Sequence, residues 1–455
     1  MADGGRAVAH FAAQKKARVA IRLPQARLYD SGMDAAEPTL GHLSDGSIFF
    51  VATDVDSEPT PSQVNVVRST DEGDSWETTS PRIGPANAHF LTIDPYLWVD
   101  PATQRVFTVD LTQACSMLSF SDDQGASWTT NPMACGRPVN DHQTLFGGPP
   151  VTSPTIGYDN VVYYCWNDVL TSSCSKSIDG GLTFVDSGNP AFLGLEPNSD
   201  QEGVGGIQGF CTGLHGHGVA GVDGTIYLPR AYCNRAVLAI SKDEGQTWSI
   251  VEVAKMPAVN QTGGGGANTS VAVDAKGNIY YVFVGDEDRL PYLTVSKDGG
   301  ETWSEPLDVS APGVTESNLA TVDVGDPGKI AIAYYGSENA PGAPYSASYL
   351  QTTWNGYITM SADALKQRPV FMSASVNPRS DPLVRDRCGP GRCKTVLDFI
   401  DIEIAPDGTP WAAFVDSCID QEYADGTNCV SNPSRGQNFG DLGLLGRLVG
   451  GPPLV

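Results

Sequence analysis

Four of the six histidines in this 455-residue chain fall in short segments that precede predicted β-strands. They are His89, His142, His215 and His217. A neutral imidazole can accept a proton or bind a metal ion, and a nearby carboxylate can orient it. If the segments meet in space, the histidines would form a catalytic base or a metal site. The alternative is that each side chain only ties its own loop by hydrogen bonds.

Other candidate residues lie in the same segments or in the loops after each second strand. Asp54 and Asp56 could do acid and base chemistry, and Tyr232 could take a proton. Arginines beside exposed aromatic residues suit a sugar that carries a carboxylate. The arginine can donate two parallel hydrogen bonds to the carboxylate, and the aromatic ring can stack on the sugar ring. The candidate binding residues are Arg230, Arg235, Arg289, Trp166, Asp94 and Asp141.

A repeated turn indicates how these segments are positioned. The pattern Ser-x-Asp-x-Gly-x-Ser/Thr-aromatic occurs five times, at residues 69–76, 121–128, 177–184, 241–248 and 296–303. In each copy we expect the Asp to accept hydrogen bonds from the turn and the Gly to supply a positive φ. We expect the aromatic residue to be buried as the next strand begins.

This pattern resembles the Asp-box of sialidase-like β-propellers, which closes the hairpin between the third and fourth strands of a blade. Four copies carry every defining position, and the third has Phe184 where Trp is usual. The resemblance implies a β-propeller but no single activity, because Asp-boxes also occur in other glycosidases, lyases and non-enzymatic propellers. Arg22-Leu23-Pro24 resembles the Arg-Ile-Pro motif of sialidases. No Tyr–Glu pair matches the family's nucleophile, so sialidase activity itself is not predicted.

A second repeat, of strand, Gly/Asp/Asn turn and strand, predicts the number of blades. Its turns lie at 45–46, 102–104, 159–160, 223–224, 276–278, 327–328 and 407–408. Seven turns predict an all-β, seven-bladed β-propeller, with six blades as the alternative. The first five blades carry the Asp-boxes, and residues 18–23 and 444–449 are predicted to complete the last blade. Residues 1–17 are predicted to be a flexible tail, and residues 18–455 a single propeller domain.

Charge and cysteine content bound the partners and the compartment. The formal net charge of -25 argues against a nucleic-acid partner, which needs a basic face, and no apolar run is long enough to span a membrane. The ten cysteines form close pairs that predict five disulfides: Cys115/Cys135, Cys165/Cys174, Cys211/Cys233, Cys388/Cys393 and Cys418/Cys429. Disulfides indicate an oxidising compartment, so we predict a secreted protein whose leader is absent from this sequence.

The channel mouth of the predicted propeller is where function is expected. The resemblance favours a glycan-acting enzyme, whose partner is a carbohydrate or another small molecule. Paired carboxylates such as Asp54 or Asp56 would serve a hydrolase. A lyase would use His142, His215, His217 or Tyr232 as its base, with Arg230 or Arg235 holding a uronate carboxylate. The alternatives are a non-catalytic carbohydrate-binding or scaffold propeller, and an enzyme that holds calcium or a transition metal on His89, His142, His215 and His217.

Overall fold

The computed structural model describes residues 8–11, 23–54, 63–82, 94–112, 115–132, 140–168, 171–193, 211, 213–259, 269–340, 352–385, 388–389, 392–393, 396–418 and 441–455. Every regular element in these ranges is a β-strand. Within the same ranges, no helix has the length and apolar character that crossing a membrane requires.

The strands follow one another along the chain with short connections. The first group is β1 (Val8–Phe11), β2 (Gln25–His42), β3 (Ile48–Asp54), β4 (Gln63–Ser69), β5 (Glu77–Thr78), β6 (Pro95–Val99), β7 (Val106–Thr112), β8 (Cys115–Ser121), β9 (Thr129–Pro132), β10 (Asp141–Gly148), β11 (Val161–Asn167), β12 (Thr171–Ser177), β13 (Val185–Asp186) and β14 (Phe192–Leu193). The second group is β15 (Val219–Ala220), β16 (Ile226–Tyr232), β17 (Arg235–Ser241), β18 (Ser249–Pro257), β19 (Thr269–Val273), β20 (Ile279–Val284), β21 (Pro291–Ser296), β22 (Leu307–Asp308), β23 (Glu316–Val324) and β24 (Ile330–Ser337). The last group is β25 (Thr353–Ser361), β26 (Val370–Ser375), β27 (Val384–Arg385), β28 (Cys388–Gly389), β29 (Arg392–Cys393), β30 (Asp401–Ile404), β31 (Pro410–Asp416) and β32 (Asp441–Val449).

Antiparallel sheets with sequential strands surround a central channel in a β-propeller arrangement. Sheet 2 is β6-β7-β8-β9, sheet 3 is β10-β11-β12-β13 with β14 on β12, sheet 4 is β15-β16-β17-β18 and sheet 5 is β19-β20-β21-β22. Sheet 6 runs β23-β24-β25-β26-β1, with β27 on β25. These five sheets are separate blades, and their first strands β6, β10, β15, β19 and β23 line the channel.

Sheet 1 is a continuous seven-stranded sheet, in the order β30-β31-β32-β2-β3-β4-β5. Gln25–Ala35 of β2 pair with β32, and Ala36–His42 of the same strand pair with β3. The predicted counts of seven or six separate blades are therefore both wrong, because there are five separate blades and the strands predicted for the first and last blades are fused through β2. The C-terminal strand does pair with the N-terminal part of the chain, but its partner begins at Gln25, and residues 18–22 lie outside the described ranges.

The N-terminal region differs from the predicted flexible tail. Val8–Phe11 form β1, which pairs antiparallel with β26 at the outer edge of sheet 6. The other residues of the predicted tail lie outside the described ranges.

The turns that enter each second strand are confirmed. Gly46, Gly224, Gly277, Gly328 and Gly408 have φ values from 78° to 91°, a conformation that side chains with a Cβ seldom adopt. The mainly apolar runs after these turns form second strands, such as β16, β20 and β24.

The five repeated turns share one hydrogen-bond pattern. In the first, Ser69 Oγ donates to Asp71 Oδ1 (2.8 Å) and accepts from Gly73 N (2.9 Å). Ser75 donates to Asp71 from its backbone N (2.9 Å) and its hydroxyl (2.6 Å). The other four turns repeat these contacts. The predicted hydrogen bonding is therefore confirmed.

The aromatic residues of these turns are half-buried, so the prediction of full burial is wrong. The reason is that they lie at the junctions between sheets. Trp128 Nε1 donates to Thr79 O in sheet 1 (2.5 Å), and Trp248 Nε1 donates to Asn189 O in sheet 3 (3.1 Å). The turns therefore join neighbouring sheets as well as closing their own hairpins.

Two predicted disulfides are confirmed. Cys165–Cys174 joins facing residues of β11 and β12, and Cys211–Cys233 joins the start of the sheet 4 region to the end of β16. Cys393 and Cys418 are also disulfide-bonded, and Cys388 lies opposite Cys393 in the β28-β29 hairpin. Cys135 and Cys429 lie outside the described residues.

Candidate functional site

Three of the predicted histidines meet at the channel, and two of them pack against one phenylalanine. The ring centroids of His142 and His215 are 5.9 Å apart, and those of His142 and His217 are 6.0 Å apart. Phe399, which precedes β30, lies 5.0 Å from His142 and 5.1 Å from His217. Tyr96 of β6 meets His217 edge-on at 4.5 Å. These five residues are the mouth cluster, and they come from sheets 1, 2, 3 and 4.

A backbone bulge aims His142 into the mouth cluster. The register of β10 against β11 shifts between Asp141 and Thr144, and His142 has a φ of 50°. The same bulge recurs in β2, where Glu37 has a φ of 53°, and in β23, where Leu319 has a φ of 55°. Left-handed backbone at residues other than glycine is costly and persists where the surrounding structure enforces it.

The segment His215-Gly216-His217 is held between sheets 4 and 5. Gly216 N donates to Pro229 O (2.9 Å), and His215 Nδ1 lies 2.9 Å from Gly216 O. A Cβ at Gly216 would lie 2.0 Å from Thr269 O, so only glycine fits there. This close approach places His215 and His217 on either side of the strand junction.

Asp401 adds a carboxyl group to the cluster. Its Oδ1 lies 3.9 Å from His217 Nδ1, and both side chains are slightly exposed, at 15% and 12% respectively. Its Oδ2 accepts a hydrogen bond from Leu40 N (3.2 Å). Asp401 therefore joins β30 to β2 and at the same time faces the histidines.

Burial shifts the protonation of these groups in opposite directions. It lowers the pKa of His142 to about 4 and that of His215 to about 3. Burial also lowers the pKa of His217 well below its usual value, with smaller contributions from the other two histidines. The pKa of Asp401 is raised well above its usual value, chiefly by burial. The site therefore favours neutral imidazoles beside a protonated carboxyl group.

Several ring nitrogens of the cluster are unpaired. Within the described ranges, neither nitrogen of His142 has a hydrogen-bond partner, nor do His215 Nε2 and His217 Nε2. Buried polar atoms are usually paired, so these nitrogens point to a functional role.

Among the described residues, His142, His215 and His217 are not arranged as a metal site. In the part of the chain that the structure describes, no group of three or more His, Cys, Asp and Glu side chains could hold a metal ion. The metal site predicted on His142, His215 and His217 is therefore not found in that part. His89 lies outside the described residues.

Tyr232, Arg230 and Trp166 are packed into the walls of the sheets. The Tyr232 hydroxyl donates to Leu193 O, and Arg230 donates to Ser172 Oγ (3.0 Å) and Gly213 O (2.6 Å). Trp166 is buried and stacks on Tyr164. These three residues are buried and not exposed as expected, because each lies in a second strand that is covered on both faces; their roles in binding or catalysis stay a prediction.

The other predicted residues are dispersed. The carbonyl groups of Asp94 and Asp141 accept hydrogen bonds from Gln143 Nε2 and Asn167 Nδ2. Arg289 lies in a tight turn, 3.5 Å from Asp286 Oδ1, and Arg235 begins β17. Asp54 ends β3, and Asp56 lies outside the described residues.

The channel itself contains a cavity of about 530 Å³ below the mouth cluster. Tyr96, His217 and Asp401 line its inner end. The exposed residues Ser44, Pro101 and Pro406 line the other end, so the cavity reaches the surface on the face that carries the turns between first and second strands. That face is opposite the predicted mouth, and the two regions meet at His217 and Asp401.

A second set of polar residues in this cavity was missed by the sequence reasoning. His42 Nδ1 lies 2.7 Å from Glu403 Oε2, and Asp323 Oδ2 accepts from Ile404 N (2.7 Å). The sequence feature that could have revealed these residues is the alternation of acidic with apolar residues in the first strands, as in Asp401-Ile402-Glu403-Ile404.

The fold and the site together define a β-propeller protein with a titratable cluster at its channel. No family model matches the chain. A curated xyloglucanase from a Paenibacillus species is 27% identical over 266 residues, which are 52% of this chain. The chain spans only 23% of the length of that relative.

Solved structures similar to this chain include three β-rich proteins at low identity. An α-L-arabinofuranosidase from Fusarium graminearum is 13% identical, with 78% of this chain and 97% of that chain covered and a TM-score of 0.42. An intramolecular trans-sialidase from Ruminococcus gnavus is 16% identical, with 92% and 96% covered and a TM-score of 0.40. A protein of unknown function from Dyadobacter fermentans is 14% identical, with 94% and 98% covered and a TM-score of 0.43. The predicted resemblance to sialidase-like proteins is thus found again, and at these values it assigns no activity.

Proposed function

We propose that this protein acts on carbohydrate by hydrolysing a glycosidic bond at the mouth cluster. The observation that carries this proposal is the contact between His217 and Asp401, whose Nδ1 and Oδ1 atoms lie 3.9 Å apart. The raised pKa of Asp401 favours a protonated carboxyl group that can act as a general acid, and the lowered pKa of His217 keeps the neighbouring imidazole neutral.

In this mechanism Asp401 donates its proton to the glycosidic oxygen while the bond from that oxygen to the anomeric carbon breaks. The carboxylate left on Asp401 then takes a proton from a water molecule, whose oxygen forms the new bond to the anomeric carbon, so that Asp401 is protonated again. His217 lies too close to Asp401 to act from the opposite face of the sugar, and its role is to position the carboxyl group. General acid and base catalysis of this kind contributes about 10²–10⁴-fold each.

Hydrolysis is favoured over elimination because two of the groups predicted for a lyase, Arg230 and Tyr232, are engaged elsewhere. Arg230 donates to Ser172 and Gly213, and the Tyr232 hydroxyl donates to Leu193 O. A lyase is the second candidate, supported by the unpaired ring nitrogens of His142 within the described residues.

The similarity to a Paenibacillus xyloglucanase supports a polysaccharide substrate. The disulfides Cys165–Cys174 and Cys211–Cys233 support a secreted protein. We also infer that the repeated turns are Asp-boxes, which their common hydrogen bonds support. The pairing of β32 with β2 supports a single domain over residues 18–455. The absence of a nucleic-acid partner stays a prediction.

The test is product formation from xyloglucan, arabinan, sialosides and uronate polysaccharides. New reducing ends report hydrolysis, and ultraviolet absorbance of unsaturated uronyl products reports elimination. We expect reducing ends without ultraviolet absorbance, and no loss of activity with a chelator. Loss with a chelator would instead favour the metal-dependent alternative.

The matched variants are Asp401→Asn, His217→Gln and the exposed control Asp159→Asn. We expect Asp401→Asn to lower kcat/KM at least about a hundredfold, because an amide cannot donate the proton. Full activity of Asp401→Asn would contradict the acid assignment. Binding of a polysaccharide without any product would favour the non-catalytic alternative.

A further inference from the structure

The lining of the channel cavity carries more carboxyl groups than basic side chains among the described residues. The cavity lining includes the carboxyl groups of Asp323, Asp401 and Glu403, which come from the neighbouring strands β23 and β30. None of the described residues that line the cavity is a lysine or an arginine. Among the same described residues, the other ionisable side chains are those of His42, His217 and Tyr96.

The three carboxyl groups repel one another electrostatically. Burial raises the pKa of Asp323 to about 7, and the charge of Glu403 adds to this shift. Burial also raises the pKa of Asp401, with further contributions from Glu403 and Asp323. The cavity therefore takes up protons to limit its negative charge, and a bound cation would replace them.

His42 adds an imidazole ring to the lining of the cavity. Its side chain is 3% exposed, and its Nδ1 lies 2.7 Å from Glu403 Oε2. A carboxylate at that distance accepts a hydrogen bond from Nδ1–H, and in the neutral form of the ring Nε2 then carries the lone pair. Within the described residues, Nε2 has no hydrogen-bond partner.

The rest of the wall is uncharged and partly aromatic. Trp98 is half-buried and lines the cavity beside Tyr96. Gly147, Gly218 and Ala220 are among the residues on the strands that follow. Aromatic rings attract cations through their faces, and small residues leave room for an alkyl group. The volume of about 530 Å³ is typical of small-molecule sites.

We propose that the channel cavity binds a small organic ammonium ion. The ammonium group is held by Glu403 and Asp323, with His42 Nε2 as a further acceptor, and the alkyl part packs toward Trp98. The ion enters from the face where Ser44, Pro101 and Pro406 are exposed. The cavity meets the mouth cluster at His217 and Asp401, but Glu403, Asp323 and His42 take no part in the hydrolysis proposed there.

An organic cation fits the described side chains better than a metal ion does. No set of three or more ligating side chains in the described ranges could hold a metal. A neutral alcohol would bring no positive charge to the carboxyl groups of the cavity. The proposal therefore predicts selectivity for ammonium over both.

The experiment is isothermal titration calorimetry of the full chain at pH 7 with n-butylammonium chloride. Butan-1-ol serves as the neutral molecule of similar shape, and MgCl₂ serves as the metal. We expect binding of n-butylammonium only, with a heat that depends on the ionisation enthalpy of the buffer because protons are released. Absence of n-butylammonium binding, or equal binding of butan-1-ol or Mg²⁺, would overturn the proposal.

Variants locate the site. Glu403→Gln and Asp323→Asn should each weaken n-butylammonium binding at least tenfold. The Asp323→Asn variant should still fold, because an amide oxygen can accept the hydrogen bond from Ile404 N that the carboxyl oxygen accepts now. The control is Asp326→Asn, whose exposed carboxylate pairs with Lys329 at 2.9 Å outside the cavity. Unchanged thermal melting would show that each variant is folded, and wild-type affinity in both cavity variants would overturn the proposal.

Discussion

Replacing Gly216 with alanine should force sheets 4 and 5 apart at the mouth cluster. A Cβ at this position would lie 2.0 Å from the carbonyl oxygen of Thr269, whereas real Cβ contacts stay beyond 3.0 Å. Since the obstacle is backbone, no side-chain rotation relieves the clash. The segment that carries His215 and His217 must therefore move by about 1 Å relative to β19.

The expected cost combines overpacking with a weakened hydrogen bond. Overpacking a close-packed site typically costs about 1–3 kcal/mol. Movement of the segment also weakens the bond from Gly216 N to Pro229 O, now 2.9 Å long, which adds about 1 kcal/mol. We expect the free energy of unfolding to fall by about 2–4 kcal/mol.

Urea unfolding followed by tryptophan fluorescence measures this loss. The control is Gly277→Ala, because Gly277 has a φ of 78° and no atom within 4 Å of the added Cβ. The control should cost about 1–2 kcal/mol, from the left-handed backbone alone. If Gly216→Ala destabilises no more than Gly277→Ala, the close approach of Gly216 to Thr269 is wrong.

Three further predictions concern protonation and the sheet junctions. Burial raises the pKa of Asp323 from 3.8 to about 7, so the protonated side chain's contribution to the free energy of unfolding is lost as pH rises through that range. Asp323→Asn should therefore gain stability relative to wild type between these pH values. Parallel curves of melting temperature against pH for the two proteins would contradict this. Because burial lowers the pKa of His142 from 6.5 to about 4, wild type should lose stability as pH falls between those values, and His142→Gln should lose less, as measured by melting temperature against pH. Trp128→Phe should lower the free energy of unfolding in urea by about 1 kcal/mol, since it removes the hydrogen bond to Thr79 O; no loss would show that this bond does not stabilise the junction.

The turns and second strands could be predicted because their signals are local. A glycine with a positive φ marks five of the turns, and a mainly apolar run forms the strand that follows. The number of separate blades could not be predicted in this way. It depends on β2, whose two halves pair with different strands, and on contacts such as Ser31 Oγ to Gly443 O, between residues 412 positions apart.

The meeting of His142, His215 and His217 was predictable because a propeller brings the starts of its first strands to one place. The buried contacts of Arg230 and Trp166 could not be predicted. A second strand is covered on both faces, and its sequence does not show which polar groups form hydrogen bonds in the interior. Arg230 is engaged by Ser172 and Gly213, which are far from it in sequence.

The carboxyl groups that line the channel cavity show that hydrogen bonding between neighbouring sheets does not by itself explain every buried polar residue. Each junction between neighbouring first strands can be closed by a backbone N–H that donates to a side-chain oxygen. At three junctions of the described residues that oxygen is a hydroxyl: Leu97 N donates to Thr39 Oγ1 (2.9 Å), Gly218 N to Thr144 Oγ1 (3.0 Å) and Val322 N to Ser270 Oγ (3.1 Å).

At the junctions beside β30 the oxygen belongs to a carboxyl group instead. Leu40 N donates to Asp401 (3.2 Å) and Ile404 N donates to Asp323 (2.7 Å). A hydroxyl would accept the same bond without the cost of burying an ionisable group beside another. The fold therefore does not require these carboxyl groups. A ligand that needs negative charge in the channel explains their presence better than the need for hydrogen bonds between neighbouring sheets does.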